Sequence, residues 1–466
     1  MPNFSPETLA SWTSGRWTAQ PVAALSGFAI DTRQLRASQI FVAIKTEKRD
    51  GHDFLAAAEA AGASAALVAT PDRTLALPQL VVADPLAAFQ AIAREHRRAF
   101  PGPVVGISGS AGKTSTKNLL ALLLGGEAGG VLATEGNLNN HLGVPLTLTR
   151  LDPAAHKFAV IEAGVSAPRE MVPLAAMIEP DVALITLVAP AHTAELGGIG
   201  GVAIEKAVLP AAVRPAGVAI FPRQCAEFAA FRELDVRQMV IERAEVIRPA
   251  EPPKDKVYFS VTHRGDATAV ALAYGPPPPL TFTFRRVSDG MAQNAVLAIC
   301  AALWLGVECE KIQTRLADWQ PAKLRGELRR DGERLLYLDC YNANPASMAD
   351  ALDAFYSVAP ADQPRLFVLG GMEELGRESE MFHRALGRSL RLRPGDFLFV
   401  IGAEAEAVRT GALESGAHAA RIAVVGSLEP IATLVADWRG AVFVKGSRRY
   451  QLEKAVESIA PESVHA

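Results

Sequence analysis

The chain has 466 residues, a formal net charge of −3 and 49% hydrophobic residues. This length is typical of about three domains, and the composition is typical of a soluble globular protein. The slightly acidic balance gives no basic surface for nucleic acid, and no apolar run reaches the roughly 18 residues of a membrane span. The four cysteines are scattered, and the first residues lack a signal-peptide pattern. We therefore expect a cytoplasmic monomer with reduced thiols.

The first hundred residues have the pattern of a small α/β domain. Apolar runs at 39–44 and 65–68 predict strands, and residues 54–61 and 85–99 predict helices. We interpret the charged run at 94–98 as the solvated last turn of the second helix. Two prolines in residues 100–103 indicate a linker, so we place the first domain boundary there and assign residues 1–100 to the N-terminal domain.

The sequence GISGSAGKTST at 106–116 lies between an apolar run and a helix-forming run. A strand, a glycine-rich turn and a helix aim backbone N–H groups at a phosphate. Ile107 stands where the strict Walker pattern has glycine, so only the shorter GxxGKT form is present. A plain strand-to-helix turn is the alternative to a nucleotide phosphate site. The predicted site consists of Gly109, Ser110, Ala111, Gly112, Lys113, Thr114 and Ser115, where Lys113 would reach the terminal phosphates and Thr114 would hold Mg²⁺.

Residues 101–320 alternate apolar runs with helical stretches, which predicts a mostly parallel sheet covered on both faces. Strands are predicted at 158–161 and 182–186 and helices at 168–178 and 291–305. Glu162 and His192 follow two of these strands, at the carboxyl edge where ligands bind. Residues 251–286 change to polar–apolar alternation, which predicts antiparallel edge strands.

Residues 321–466 repeat the alternation, with strands predicted at 335–339, 365–369, 397–401 and 441–444. The predicted fold class is therefore α/β with three domains. A small α/β N-terminal domain precedes a central P-loop-type ATPase domain at 101–320, and a Rossmann-like C-terminal domain covers 321–466.

Several motifs in order resemble the Mur ligase family, and within it the MurF type. They are Asp31-Thr32-Arg33, residues 41–43, residues 50–54, residues 134–140, residues 143–145, the Tyr341-Asn342-Ala343-Asn344-Pro345 run, residues 370–376 and residues 445–448. The resemblance covers nearly the whole chain. It implies an ADP-forming ligase of peptidoglycan precursor synthesis that joins D-alanyl-D-alanine to UDP-N-acetylmuramoyl-tripeptide through an acyl phosphate.

The resemblance also implies roles for individual residues. Substrate contacts are implied for Asp31, Thr32, Arg33, Asp50, Gly51, His52, Thr134, Asn137, Asn139, Asn140, Asn342, Asn344, Lys445, Ser447 and Arg448. Nucleotide contacts are implied for Asn294 with adenine, Arg325 with the γ-phosphate and Asp339 with ribose. Thr114 and Glu162 offer the oxygen ligands that Mg²⁺ prefers. A second Mg²⁺ is implied at His192 and a carbamylated Lys206. The implied catalytic residues are Lys113, Lys206, His192 and Arg325.

Structural alternatives stay open for these residues. Glu162 could cap a helix, His192 could be only hydrogen-bonded, and Lys206 could be solvated on its helix. The sequence also departs from the family pattern G-x-H-M-x-x-N, because Gly290 stands in place of the histidine. Two other functions remain: a sibling ligase that adds a different amino acid or dipeptide, and a non-catalytic Mur-like protein that binds a nucleotide or a UDP-sugar.

Overall fold

The computed structural model describes residues 2–247, 255–332 and 334–457. Three separate sheets occur in succession along the chain, each with helices packed on it. The predicted α/β fold with three domains is confirmed. The boundaries at 101 and 321 stay a proposal, which the positions of the sheets in sequence support.

The N-terminal sheet has the strand order β1-β5-β4-β3-β2, and all its neighbours are parallel except β1 and β5. Asp84 caps the long third helix, and Pro85 fills the first turn, where no N–H bond is lost. The strands are β1 Arg16–Trp17, β2 Phe28–Ala29, β3 Ile40–Val42, β4 Ala65–Val68 and β5 Gln79–Val81, and the helices are α1 Pro6–Thr13, α2 Leu55–Ala60 and α3 Pro85–Ala99.

The central sheet has nine strands in the order β14-β13-β12-β11-β10-β9-β6-β8-β7. The strands are β6 Val104–Ser108, β7 Val131–Ala133, β8 Phe158–Glu162, β9 Val182–Ile185, β10 Val218–Pro222, β11 Gln238–Arg243, β12 Lys256–Arg264, β13 Ala267–Ala273 and β14 Leu280–Arg285. Strands β6 to β12 pair in parallel with their neighbours, whereas β12, β13 and β14 form an antiparallel edge. This edge is where the sequence predicts antiparallel strands; residues 251–254 of that prediction lie outside the described residues.

Helices cover both faces of the central sheet. They are α4 Lys113–Leu124, α5 Gly143–Leu148, α6 Met171–Ile178, α7 Thr193–Leu196, α8 Ile199–Ala211, α9 Ala229–Arg232, α10 Asp289–Trp304 and α11 Cys309–Ala317. One apolar core lies under α4, α10 and α11, and the other lies under α5, α6 and α8. The continuous apolar strands are therefore explained by burial on both sides, as the sequence predicts.

The C-terminal sheet has the order β15-β16-β20-β17-β18-β19, and only β15 is antiparallel to its neighbour. The strands are β15 Glu327–Asp331, β16 Arg334–Asp339, β17 Arg365–Gly370, β18 Phe397–Ile401, β19 Ile422–Val425 and β20 Ala441–Lys445, and the helices are α12 Pro345–Val358, α13 Ser379–Ser389, α14 Ala405–Glu414 and α15 Glu429–Asp437. Asn344 and Ser347 form a reciprocal capping box that starts α12.

The interpretation of residues 94–98 as a solvated turn is wrong for one member. The Arg97 side chain is fully buried and donates hydrogen bonds to the carbonyls of Ile178 and Glu179 and to the Asp181 carboxylate. Its neighbour Arg98 remains exposed. Arg97 therefore fastens α3 to the central domain. The helix predicted at 168–178 is also shorter than expected, because α6 begins at Met171.

Within the described ranges, no helix is both long enough and apolar enough to cross a bilayer.

Candidate active site

The GxxGKT turn forms a tight loop between β6 and the first turn of α4. We call residues 109–115 the phosphate loop. Gly109 has φ +146° and Gly112 has φ +80°, a region that favours glycine. A Cβ on Gly109 would lie 1.9 Å from the Thr186 hydroxyl, and one on Gly112 would lie 2.3 Å from the Asn294 amide nitrogen. Both glycines are therefore required by close packing as well as by backbone conformation.

Two side chains, one from the segment after β9 and one from the loop itself, hold this loop in place. Thr186, just after β9, donates its hydroxyl to the carbonyl of Ala111. Ser110 donates its hydroxyl to the carbonyl of Ala189 and accepts a hydrogen bond from the Ala189 N–H. The loop is thus fixed to the segment that follows β9, which leads to His192.

Lys113 folds back over the phosphate loop and donates a 2.7 Å hydrogen bond to the Gly109 carbonyl. Burial lowers the pKa of Lys113, and the nearby Arg325 charge lowers it further, while Glu162 opposes both effects. A cation at the N-terminus of α4, beside a glycine-rich turn, makes the loop suited to an anion.

Glu162, the last residue of β8, is the centre of a polar network beside the loop. Its Oε1 accepts hydrogen bonds from the Thr114 hydroxyl at 3.2 Å and the Asn139 amide at 2.9 Å. Its Oε2 is buried and has no hydrogen-bond partner among the residues that the structure describes. A buried carboxylate oxygen is rarely left unpaired, so this atom fits a cation ligand better than a helix cap.

A lysine that the sequence interpretation did not single out joins this network. Lys117 is buried one turn after Lys113 on α4, and its ammonium donates a hydrogen bond to the Thr134 carbonyl. The Thr134 hydroxyl in turn accepts a hydrogen bond from the Glu162 N–H at 2.9 Å. Lys117 thereby connects α4 to the start of the 134–140 segment, which contains four predicted substrate residues.

The C-terminal domain contacts the phosphate loop directly. The Arg325 guanidinium donates to the Thr114 hydroxyl at 3.3 Å, and its carbon lies 4.0 Å from the centroid of the Tyr341 ring. The Asn344 amide donates to the Ser110 carbonyl at 3.3 Å. The cation–π contact orients the guanidinium toward the loop.

A cavity of about 320 Å³ lies between the central and C-terminal domains. This volume is near the lower end of the range for small-molecule sites. The predicted residues that line it, besides the phosphate loop, are Asn137, Asn139, Glu162, Asn294, Arg325, Asp339, Asn342, Asn344 and Lys445. At its C-terminal side the buried Lys445 ammonium lies 2.6 Å from the Asp339 carboxylate. Lys445 therefore holds Asp339 in place.

His192 and Lys206 lie in the same electrostatic neighbourhood as Lys113. Burial lowers the pKa of His192, and the charges of Lys113 and Lys206 lower it as well, while Glu374 of the C-terminal domain opposes them. The His192 Nδ1 lies 2.7 Å from Glu374 Oε2, close enough for an ion pair but without hydrogen-bond geometry. Glu374 lies in the 370–376 motif, but the sequence gave no sign of its contact with His192, because that contact crosses two domains.

Lys206 is buried on α8, so the alternative of a solvated lysine is wrong, whereas its role as a metal ligand stays a prediction. Burial, followed by the Lys113 charge, lowers the pKa of Lys206 to about 7. Among the described residues no group of three His, Cys, Asp or Glu side chains forms a ready metal site. The chemistry of this position therefore depends on whether the amine is modified.

The predicted residues of the N-terminal domain lie apart from the cavity. Asp31 accepts hydrogen bonds from the Arg33 side chain and N–H, which lower the pKa of its carboxyl to about 2, and Thr32 lies between them. Asp50 lies 2.6 Å from His52, whose Nε2 accepts the Ala69 N–H at 2.9 Å.

Gly51 makes a close backbone approach, because a Cβ there would lie 2.5 Å from the Ile44 nitrogen. Four further predicted substrate residues do not line the cavity, and Thr134, whose contacts with Lys117 and Glu162 are given above, is one of them. The Asn140 side chain caps the start of α5, the Ser447 N–H bonds to the Gly371 carbonyl, and Arg448 pairs with Glu453.

The fold and site define a phosphate-loop α/β protein with a ligand cleft between its central and C-terminal domains. Two family models match the chain: the Mur ligase middle domain over residues 107–302, and the Mur ligase glutamate ligase domain over residues 324–448. The chain belongs to the Mur ligase family.

Similar proteins come from the MurF group. An Escherichia coli (strain K12) protein named UDP-N-acetylmuramoyl-tripeptide–D-alanyl-D-alanine ligase is 32% identical over 93% of this chain and 94% of its own. A Bacillus subtilis (strain 168) protein of the same name is 30% identical over 84% and 83% of the two chains. A crystal structure of MurF from Acinetobacter baumannii has a TM-score of 0.85 and 27% identity, and covers 98% of this chain and 99% of that one.

Proposed function

We propose that this protein is an ATP-dependent, ADP-forming ligase that joins D-alanyl-D-alanine to UDP-N-acetylmuramoyl-tripeptide in peptidoglycan precursor synthesis. The observation that carries the proposal is the convergence of Lys113, Thr114, Glu162 and Arg325 on one glycine-rich loop at a domain cleft. Relatives named for this activity are about 30% identical to the chain, and the similarity covers most of their length.

The reaction begins with attack of the tripeptide carboxylate on the γ-phosphorus of ATP. The bond from the γ-phosphorus to the bridging oxygen breaks, and ADP leaves with that electron pair. The amine of D-alanyl-D-alanine then attacks the carbonyl of the acyl phosphate, loses a proton and displaces phosphate. We assign to Lys113 and Arg325 the stabilisation of the negative charge on the transferring phosphoryl group, because both cations lie at the loop that would hold it.

We assign one Mg²⁺ to Thr114 and Glu162. The buried Oε2 of Glu162 supports this assignment, because it is a hard oxygen that has no hydrogen-bond partner in the described part of the chain. Bound there, the ion would neutralise phosphate charge. The Asn139 amide holds the Glu162 side chain by its other oxygen, so the carboxylate is already oriented for the ion.

We assign a second Mg²⁺ to His192 and to Lys206 in carbamylated form. Lys206 is buried on α8, and carbamylation would turn its amine into an anionic oxygen ligand. Carbon-13 NMR of protein equilibrated with labelled bicarbonate tests this assignment. A carbamate signal is expected, and it should vanish in Lys206→Arg. A spectrum without that signal contradicts the modification.

We assign the UDP moiety to the N-terminal residues Asp31, Thr32, Arg33, Asp50, Gly51 and His52, and the D-alanyl-D-alanine end to Asn342, Asn344, Lys445, Ser447 and Arg448. Thr134, Asn137, Asn139 and Asn140 would contact the muramoyl peptide near the phosphate loop, and Asn294 and Asp339 the adenosine. We also propose that the enzyme acts as a monomer in the cytoplasm, where its nucleotide substrates are found.

The decisive experiment is a phosphate-release assay with purified protein, Mg-ATP and UDP-muramoyl-tripeptide. Turnover should require D-alanyl-D-alanine and be much lower with single amino acids or other dipeptides. Preference for another amine would indicate a sibling ligase. No ATP turnover with the full substrate set, together with measurable nucleotide binding, would indicate a non-catalytic binder.

A further inference from the structure

The cavity contains a carboxylate to which neither the family resemblance nor the proposed mechanism gives a role. Asp350, on α12 of the C-terminal domain, lines the cavity together with Gly290 and Asn294 of α10. Its Oδ1 accepts the Gly290 N–H at 2.7 Å. The two residues belong to different domains, so this bond closes one wall of the cleft.

Asp350 fills the space in which a side chain at position 290 would begin. A Cβ on Gly290 would lie 2.7 Å from Asp350 Oδ2 and 2.9 Å from its Cγ. Position 290 is also where the sequence departs from the G-x-H-M-x-x-N pattern. In this chain the cavity wall therefore presents an acid from α12, and a ring extending from α10 would displace it.

The point at which Asp350 contacts α10 indicates which part of a nucleotide it faces. Asn294 packs against Gly112 of the phosphate loop, and Gly290 lies one helical turn away, about 6 Å along the axis. The nucleoside is the part of a nucleotide that extends away from a phosphate loop. A nucleotide with its phosphates on the loop therefore places its base or sugar in the half of the cavity that contains Asp350.

The surroundings of Asp350 keep its carboxyl shielded. Burial raises the pKa of Asp350, and the Asp339 charge raises it further, whereas hydrogen bonds from Ser288 and the Gly290 N–H and the Lys445 charge lower it. When ionised, a carboxylate only accepts hydrogen bonds. It favours a ligand edge that carries donors and disfavours one that carries a carbonyl oxygen.

We propose that Asp350 is a specificity residue for the nucleoside, accepting a hydrogen bond from an amino group of the base or from a ribose hydroxyl. The proposal rests on the proposed function, in which the cavity takes ATP. It makes Asp350 the counterpart of the missing histidine at position 290. The shared chemistry is a donor on the nucleoside, and different analogues distinguish base from sugar.

The test measures dissociation constants by calorimetry on the full chain for ATP, for ITP, in which a carbonyl replaces the amino group, and for 2′-deoxy-ATP. The wild-type protein should bind ATP at least about tenfold more tightly than one of the two analogues. Weak ITP binding identifies the base amine as the donor, and weak 2′-deoxy-ATP binding identifies the ribose. In Asp350→Ala that discrimination should disappear.

Asp350→Asn is a second variant that keeps an acceptor for the Gly290 N–H, and it should reduce the discrimination without unfolding the wall. Asp353→Ala, on the exposed side of α12, is the matched control and should bind like the wild type. Unchanged ratios in a folded Asp350→Ala, with ATP still bound, overturn the role of Asp350 alone. Absence of nucleotide binding by the wild-type protein overturns the proposed function as well.

Discussion

Lys117 and Thr134 are joined by a hydrogen bond between the lysine ammonium and the threonine carbonyl, both of them buried. The bond ties α4 to the start of the 134–140 segment, which contains four predicted substrate residues. Because the Thr134 hydroxyl also accepts the Glu162 N–H, one lysine supports both the 134–140 segment and the proposed metal ligand.

We expect Lys117→Met to reduce kcat/KM by about tenfold or more, since the 134–140 segment would lose its anchor and small displacements at a reacting site are costly. The unpaired Thr134 carbonyl should also cost about 1–3 kcal/mol of folding free energy. Phosphate release and urea unfolding measure the two effects. Lys311→Met, at an exposed ion pair, is the control and should change neither. Wild-type kinetics in Lys117→Met would contradict a positioning role.

Replacing Lys113 by methionine should lower phosphate release by about a hundredfold or more while the protein stays folded. The ammonium is the cation nearest the loop backbone, and a single preorganised group aimed at developing charge commonly contributes this much. The exposed Lys157 provides the matched substitution, Lys157→Met, which should leave the rate unchanged. Comparable rates in the two variants would remove Lys113 from the proposed mechanism.

Arg97 and Arg98 are neighbours with opposite environments, and substitution of each by methionine should separate their effects. Loss of Arg97 leaves two carbonyls and the Asp181 carboxylate without their buried donor, so we expect destabilisation of about 3 kcal/mol or more. Loss of Arg98 breaks exposed ion pairs with Glu179 and Glu95 and should cost less than about 1 kcal/mol. Equal shifts in the urea midpoint of the two variants would show that the burial of Arg97 does not determine its contribution to stability.

Thiol reagents should distinguish one cysteine from the other three. Burial raises the pKa of Cys225, Cys300 and Cys340 to about 12, so these thiols stay protonated and inaccessible at neutral pH. Cys309 is partly exposed at the start of α11. We expect one fast-reacting thiol in the native protein and four after denaturation, with the fast reaction lost in Cys309→Ser. Fast reaction of a second thiol would contradict the buried assignments.

The parts of the site that depend on local sequence could be predicted. The strand–turn–helix around Lys113 needs only adjacent residues, and Glu162 followed from its position at the end of a parallel strand beside β6. The rest depends on pairings across the chain. Lys117 has the sequence context of an ordinary helical lysine, and only the position of Thr134 reveals its burial. The contact between Gly290 and Asp350 joins elements of different domains, so no spacing rule could indicate it.

Arg97 gives a similar lesson for the fold. A basic last turn on an amphipathic helix ordinarily faces water, although residue 97, unlike residue 98, continues the buried face of Phe89 and Ala93. The difference arises because α6 ends beside α3, where its terminal carbonyls need donors. The partner of Arg97, the Ile178 carbonyl, lies 81 residues away in sequence. Helix periodicity alone cannot identify such a tertiary contact.

Helix α3 packs against two hydrophobic cores, one in the N-terminal domain and one in the central domain. Phe89 and Ile92 contribute to the core of the N-terminal sheet, whereas Ala93 and Phe100 contribute to the core beneath α6. The domain boundary predicted from the proline linker therefore does not separate two independently packed domains. Proteolysis near residue 101 would expose apolar surface on both fragments. We expect any domain movement during turnover to move residues 1–100 together with the central domain.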